Sequence, residues 1–291
     1  MSLSTRRACI EYGMQRLQGA GRDAPRRTAI WLLCDLCQCS QTALYAHPDA
    51  PVGPEVAESF KERVQRRVDG EPLQHILGYS EFYGLRIDIS PKVLVPRPET
   101  EELVEHVLRR MRGEVRPRIL DVGTGSGCIA LAVKHERPDA RVVGCDVSED
   151  ALAVARENAE RLDLDVSFQA ADLLAEDFPD VVSGPFDWVV SNPPYIPDDE
   201  ADALPDVVRE HDPPLALFAG DDPLRFYRAL ARHAPDVLVA GGRLVVETHA
   251  QYATDTAEVF AHAGFTGVHI EQDLSGRPRI AMCVWGVRDE G

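Results

Sequence analysis

Apolar positions recur at three- and four-residue spacing over 8–17, 25–37, 40–45 and 54–68, which predicts four helices near the N-terminus. Pro25, Pro48, Pro51 and Pro54 punctuate them, and Gly70 with Pro72 closes the last. The period changes across 73–95: residues 80–90 alternate as a β-strand pattern does, with Gly84 at a turn, so a hairpin is expected there. A helix follows over 102–111, with Pro98 suited to its first turn and acids to its positive end. From Arg118 onward short apolar runs at 118–122, 141–146, 165–170, 186–191, 242–247, 264–271 and 279–285 alternate with helical segments. The clearest of those is 151–162, entered from Ser148 with Glu149 and Asp150 in its first turn. Strands alternating with helices predict an α/β fold built on a parallel, doubly wound sheet. Only 274–278 separate the last two strands, too few residues for a helical crossover, so that pair is expected to be antiparallel. The expected domains are a helical one over 1–72, a hairpin linker over 73–95 and an α/β domain over 96–291.

The run Phe186-Asp187-Trp188-Val189-Val190 leads directly into Ser191-Asn192-Pro193-Pro194-Tyr195-Ile196-Pro197. Asn192 brings an amide with two donors and one carbonyl acceptor. Pro193 and Pro194 stiffen the turn and leave carbonyls with no competing N–H, while Tyr195 adds a flat π-face. Such a loop suits a planar group bearing an NH₂, whose delocalised lone pair needs orienting before it can attack. A rigid turn alone accounts for the prolines but not for the whole tetrad.

A second constellation begins with the strand Arg118-Ile119-Leu120-Asp121-Val122, followed by Gly123-Thr124-Gly125-Ser126-Gly127 and a helical run from Cys128. A strand, a glycine loop and a helix bring backbone N–H groups to a ligand at the positive end of the helix dipole. Nineteen residues beyond Gly127, Asp146 ends a second strand, at the distance where a ribose diol is gripped in doubly wound folds. The combination points to an adenosine-containing cofactor. The spacing Gly-x-Gly-x-Gly, rather than Gly-x-Gly-x-x-Gly, argues against a pyrophosphate-bearing dinucleotide.

The 291 residues carry a net charge of −17, unevenly distributed. Residues 1–75 hold 10 Lys and Arg against 9 Asp and Glu, whereas the remainder holds 21 against 39. An acidic catalytic half is a poor partner for a nucleic acid and leaves room for a basic protein partner. No apolar run approaches the ~18 residues of a membrane span, and the first residues lack the apolar core of a signal peptide. A cytoplasmic, monomeric protein is therefore expected, with no direct nucleic-acid or membrane partner. Cys34, Cys37 and Cys39 lack a matching second pair, with only His47 near, so they read as small core residues and no metal is expected. Arg97 and Thr100 precede a helix and are expected to meet the cofactor or the incoming substrate. For Glu247, at the end of a strand, a structural hydrogen bond is preferred to catalysis.

The segments Pro96-Arg97-Pro98-Glu99-Thr100-Glu101, Asp121 to Gly127, Asn192 to Pro197 and Asp273-Leu274-Ser275-Gly276-Arg277-Pro278-Arg279 occur in this order behind a helical region. In this the chain resembles the release-factor glutamine methyltransferases over essentially its whole length. The resemblance implies a seven-stranded class I (Rossmann-like) methyltransferase sheet. It also implies transfer of a methyl group from S-adenosylmethionine, leaving S-adenosylhomocysteine, to the glutamine amide of a release factor's Gly-Gly-Gln loop. Gly123, Thr124, Gly125, Ser126 and Gly127 would wrap the cofactor, Asp146 would hold its ribose, and Asp172 and Leu173 would border its adenine. Asn192, Pro193, Pro194 and Tyr195 would form the catalytic grip on the amide, with Asn192 also touching the cofactor and Arg97 at the substrate, and the helical domain would hold the release factor. One segment, 216–224, places Asp222-Pro223 where a glycine is expected; it is read as lying away from the four motifs. Two further enzymes fit the same tetrad, an adenine-N-methyltransferase of nucleic acid and a ribosomal-protein glutamine methyltransferase. A regulator that binds cofactor without turnover fits the glycine loop but has no use for the tetrad.

Overall fold

The computed structural model of the protein describes residues 3–204 and 206–286. These fall into two compact units. One runs to Tyr79 and takes in the short segment ending at His211; the other comprises Ser80–Leu204 and the residues from Asp212 on.

The first unit opens with helices α1 (Arg6–Gly19), α2 (Pro25–Leu36), α3 (Gln41–Ala46), α4 (Pro54–Val68) and α5 (Leu73–Leu77). Leu17, Leu32, Leu33, Phe60 and Val64 are fully buried between them. A Cβ on Gly13 would stand 2.9 Å from both Ala29 and Phe60, so only glycine lets α1 approach α2 and α4 this closely. The expected hairpin is shorter than 73–95. It pairs β1 (Tyr79–Phe82) with β2 (Leu85–Asp88), and the residues ahead of it form the one-turn helix α5. Gly78, at φ 78°, ends that turn in the left-handed conformation and releases the chain into β1.

The second unit continues through α6 (Pro98–Arg110), β3 (Arg118–Val122), α7 (Cys128–Glu136), β4 (Arg141–Asp146), α8 (Glu149–Leu162), β5 (Ser167–Ala170), α9 (Phe178–Val182) and β6 (Phe186–Ser191). After β7 (Ile196–Pro197), and past the short α10 (Asp206–His211) that belongs to the first unit, come α11 (Pro214–Leu217), β8 (Phe218–Gly220) and α12 (Arg225–Val237). Then follow β9 (Leu238–Glu247), α13 (Ala253–His262), β10 (Thr266–Gln272) and β11 (Pro278–Val284). Seven strands form one sheet in the order β10-β11-β9-β6-β3-β4-β5. All neighbours from β9 to β5 are parallel, and β11 lies antiparallel between β9 and β10. The expected strand at 242 begins four residues earlier, because Gly241 (φ 81°) and Gly242 carry a bulge between the pairs Phe186↔Leu238 and Trp188↔Arg243.

Both faces of the sheet are covered, which is why its strands read as continuous apolar runs. Ile119, Val142, Trp188, Val190 and Val245 face a layer containing α6, α7 and α8. Leu120, Val122, Val189, Leu244 and Val246 face α9, α12 and α13. The strand order reverses at β3, whose neighbours are β4 and β6, and a crevice opens at the carboxyl ends of these three strands. No helix among the described residues is long and apolar enough to cross a membrane.

Candidate functional site

The loop after β3 turns on three glycines in the left-handed region, Gly123 (φ 71°), Gly125 (φ 56°) and Gly127 (φ 82°). The amides of Gly123 and Thr124 both donate to the carbonyl of Cys145, each at 2.9 Å, which ties the loop to the end of β4. A side chain at Gly127 would stand 3.2 Å from Ala155 and Leu131, whereas one at Gly125 would meet nothing within 4 Å. Beneath the loop, Asp121 is fully buried, and its Oδ2 accepts from Thr124 Oγ1 at 2.6 Å and from the amide of Ala130 at 3.2 Å. Burial pushes its carboxyl up to about 7. Asp146 accepts the amide of Gly125 on Oδ2 and that of Ser148 on Oδ1, both at 2.9 Å, and burial raises its pKa as well.

A cavity of about 320 Å³ opens beside this loop. Of the residues expected around a cofactor, Gly123, Gly125, Asp146, Asp172, Leu173 and Asn192 line it. Thr124, Ser126 and Gly127 do not; they shape the loop from behind. Its lining fits a nucleoside: carboxylates of Asp146 and Asp172 to accept from ribose hydroxyls, and an apolar wall that includes Ala171, Leu173 and Phe226. Sequence reasoning missed Leu94 and Phe226 on that wall. It also placed 216–224 away from the motifs, and that reading is overturned. Ala216 lines the cavity, and β8 pairs with β7 directly behind the tetrad, Phe218 opposite Ile196. The one available signal was the apolar run Leu215-Ala216-Leu217-Phe218 after two prolines.

The tetrad closes the other side of the cavity through Asn192, Pro193 and Pro194. Ser191 Oγ donates to the carbonyl of Val122 at 2.7 Å, fixing the end of β6 to that of β3. From there a run of side-chain hydrogen bonds crosses the unit. Asn192 Nδ2 donates to Thr100 Oγ1 (3.1 Å), Thr100 Oγ1 to Glu247 Oε2 (2.7 Å), and the Tyr195 hydroxyl to Glu247 Oε1 (3.4 Å). The Tyr227 hydroxyl donates to the Glu247 carbonyl at 3.0 Å. Thr100 and Glu247 are 2% and 1% exposed, and burial raises the Glu247 carboxyl to about 7 despite Thr100 and Arg279, which oppose the rise. Thr100 therefore joins the tetrad through Asn192, a link that lay outside its expected role. Arg97 does not line the cavity; its guanidinium pairs with the buried Asp212 at 2.5 Å. Among the described residues no group of His, Cys, Asp and Glu is arranged to hold a metal, and Cys34, Cys37 and Cys39 are free thiols.

Residues 8–78 match the family described as the PrmC N-terminal domain, and residues 98–210 the methyltransferase small domain. The chain is 36% identical to a release factor glutamine methyltransferase of Koribacter versatilis, across 96% of this chain and 98% of that one. It is 41% identical to the enzyme of the same name from Deinococcus radiodurans, across 94% and 96%. A methyltransferase structure from Pyrococcus furiosus superposes with a TM-score of 0.52 at 20% identity, covering 78% of this chain and all of the other, and shares the fold.

Proposed function

The chain belongs to the release factor glutamine methyltransferases, and on that premise we propose that it methylates the side-chain amide nitrogen of the glutamine in a release factor's Gly-Gly-Gln loop. One observation carries the reading: the glycine loop with Asp146 and the Asn-Pro-Pro turn wall the same cavity, so cofactor and amide would meet within it. Gly123, Gly125, Asp146, Asp172 and Leu173 would hold S-adenosylmethionine, which would supply there a methyl group on a sulfonium, with S-adenosylhomocysteine as the leaving group. Asn192 Oδ1 accepts one hydrogen of the incoming amide, and a carbonyl of the Pro193-Pro194 turn accepts the other. With both hydrogens held, the nitrogen lone pair is presented in one direction. Positioning of this kind can supply several orders of magnitude in rate. No side chain is assigned as a base, because the nitrogen becomes far more acidic once it is alkylated and can lose its proton to water.

The helical region is the grip on the release factor, acting on a translation factor in the cytoplasm as a single chain. Removing residues 1–72 is expected to leave cofactor affinity unchanged and to lower kcat/KM on intact release factor, but not on a short Gly-Gly-Gln peptide. An equal loss on both substrates would sink the docking role. The activity itself is tested with labelled cofactor and purified release factor, mapping the modified residue by mass spectrometry. A label absent from the Gly-Gly-Gln glutamine overturns the reading.

A further inference from the structure

A threonine hydroxyl has one hydrogen to give. Thr100 gives it to Glu247 Oε2 at 2.7 Å, and only its lone pairs remain for Asn192. Asn192 must therefore turn its NH₂ toward Thr100, as it does at 3.1 Å, and this leaves Oδ1 as the end offered to the cavity that Asn192 lines. The direction of every bond in the run is set at its far end, by the Glu247 carboxylate, which in its ionised form, dominant above about pH 7, accepts from both Thr100 and Tyr195. Glu247 is buried at the end of β9, with its neighbour Val246 paired to Ser191 of β6, so the chain of bonds rests on the sheet rather than on a loop. We propose that Glu247, acting through Thr100, is a positioning residue that fixes which end of the Asn192 amide faces the substrate, and so selects a hydrogen-donating amide over a carboxylate.

This inference rests on the reading of the tetrad as an amide grip. In Glu247→Gln, Nε2 in place of Oε1 would meet only the Tyr195 hydroxyl; in place of Oε2 it would donate to Thr100 Oγ1. The threonine hydrogen is then free for Asn192 Oδ1, and the asparagine turns its NH₂ to the cavity. Donor would face donor, and a site built to accept hydrogens would no longer hold the glutamine.

The experiment compares wild type with Glu247→Gln, Thr100→Val and Thr100→Ser, measuring turnover on release factor and cofactor affinity by calorimetry. Glu247→Gln and Thr100→Val are expected to lower kcat by about 10- to 100-fold, while cofactor Kd stays within about threefold of wild type. Thr100→Ser keeps the hydroxyl and should recover kcat to within about threefold. Should Glu247→Gln fail to fold, the Ser and Val pair at Thr100 decides alone, since the two differ in whether the relay is present. Wild-type turnover together with an unchanged kcat in folded Thr100→Val, or a Ser variant as slow as the Val one, overturns the inference and leaves the proposed activity standing. An inert wild type overturns the activity first.

Discussion

The two walls of the cavity are built by different means. On the glycine-loop side, the wall is held by backbone and one carboxylate within a short stretch of chain: glycine amides, the Cys145 carbonyl and Asp146. On the tetrad side, Asn192 is bonded to Thr100, 92 residues earlier, and Thr100 to Glu247, 147 residues later. Backbone-built sites tolerate exchange of most side chains so long as the left-handed turns are kept. Side-chain relays fail when any one member is lost, because the remaining buried groups lose their partners.

The sharpest break of this contrast is Asn192→Ala. Turnover on release factor should fall ~10²-fold or more, while cofactor Kd measured by calorimetry moves little; near-normal single-turnover rates would refute the amide grip. Next comes Glu247, whose ordinary carboxyl value of 4.5 is raised to about 7 mainly by burial, with Glu99 adding to the rise while Thr100, Arg279 and Tyr195 pull it down. A raised folded-state pKa means that the stability linked to this proton is full below about 4.5 and is lost as pH rises through about 7. Wild type should therefore lose ~2–3 kcal/mol of unfolding free energy between pH 5 and pH 8 that Glu247→Gln does not lose. Parallel pH profiles of denaturant stability in the two proteins would contradict this. On the other wall, Asp146→Ala should weaken cofactor binding by ~1.5–3 kcal/mol, the scale of a hydrogen bond to a charged group, and leave kcat at saturating cofactor nearly intact. Unchanged affinity in a folded variant would remove Asp146 from the ribose role.

The same contrast explains what the sequence made legible. The glycine loop, Asp146 and the Asn-Pro-Pro turn are local patterns whose spacing carries their geometry, so they could be read from the chain alone. Strand positions followed from apolar runs because both faces of the sheet are covered. The link from Asn192 through Thr100 to Glu247 depends on α6, β6 and β9 meeting at one end of the sheet, and no spacing in the sequence records it. Glu247 was visible only as a carboxylate ending a strand, and Asp212 only as one acid among 48 acidic residues, although it is buried against Arg97. The helix α5 was hidden for a different reason: five residues are too few to display a period.

The position of β11 has a consequence in time. It is the last of the described strands in chain order, yet it is not an edge strand: it slots between β9 and β10, with Ile280 paired to Glu247. While the ribosome is still making the residues before Pro278, β9 has one open flank, and the strand that carries Glu247 is held from one side only. The cofactor wall, resting on β3, β4 and their loop, has all its pieces much earlier. A nascent chain arrested before β11 should thus resist protease around the glycine loop and be cut along β9, so that the proposed relay through Glu247 is secured only once β11 is in place.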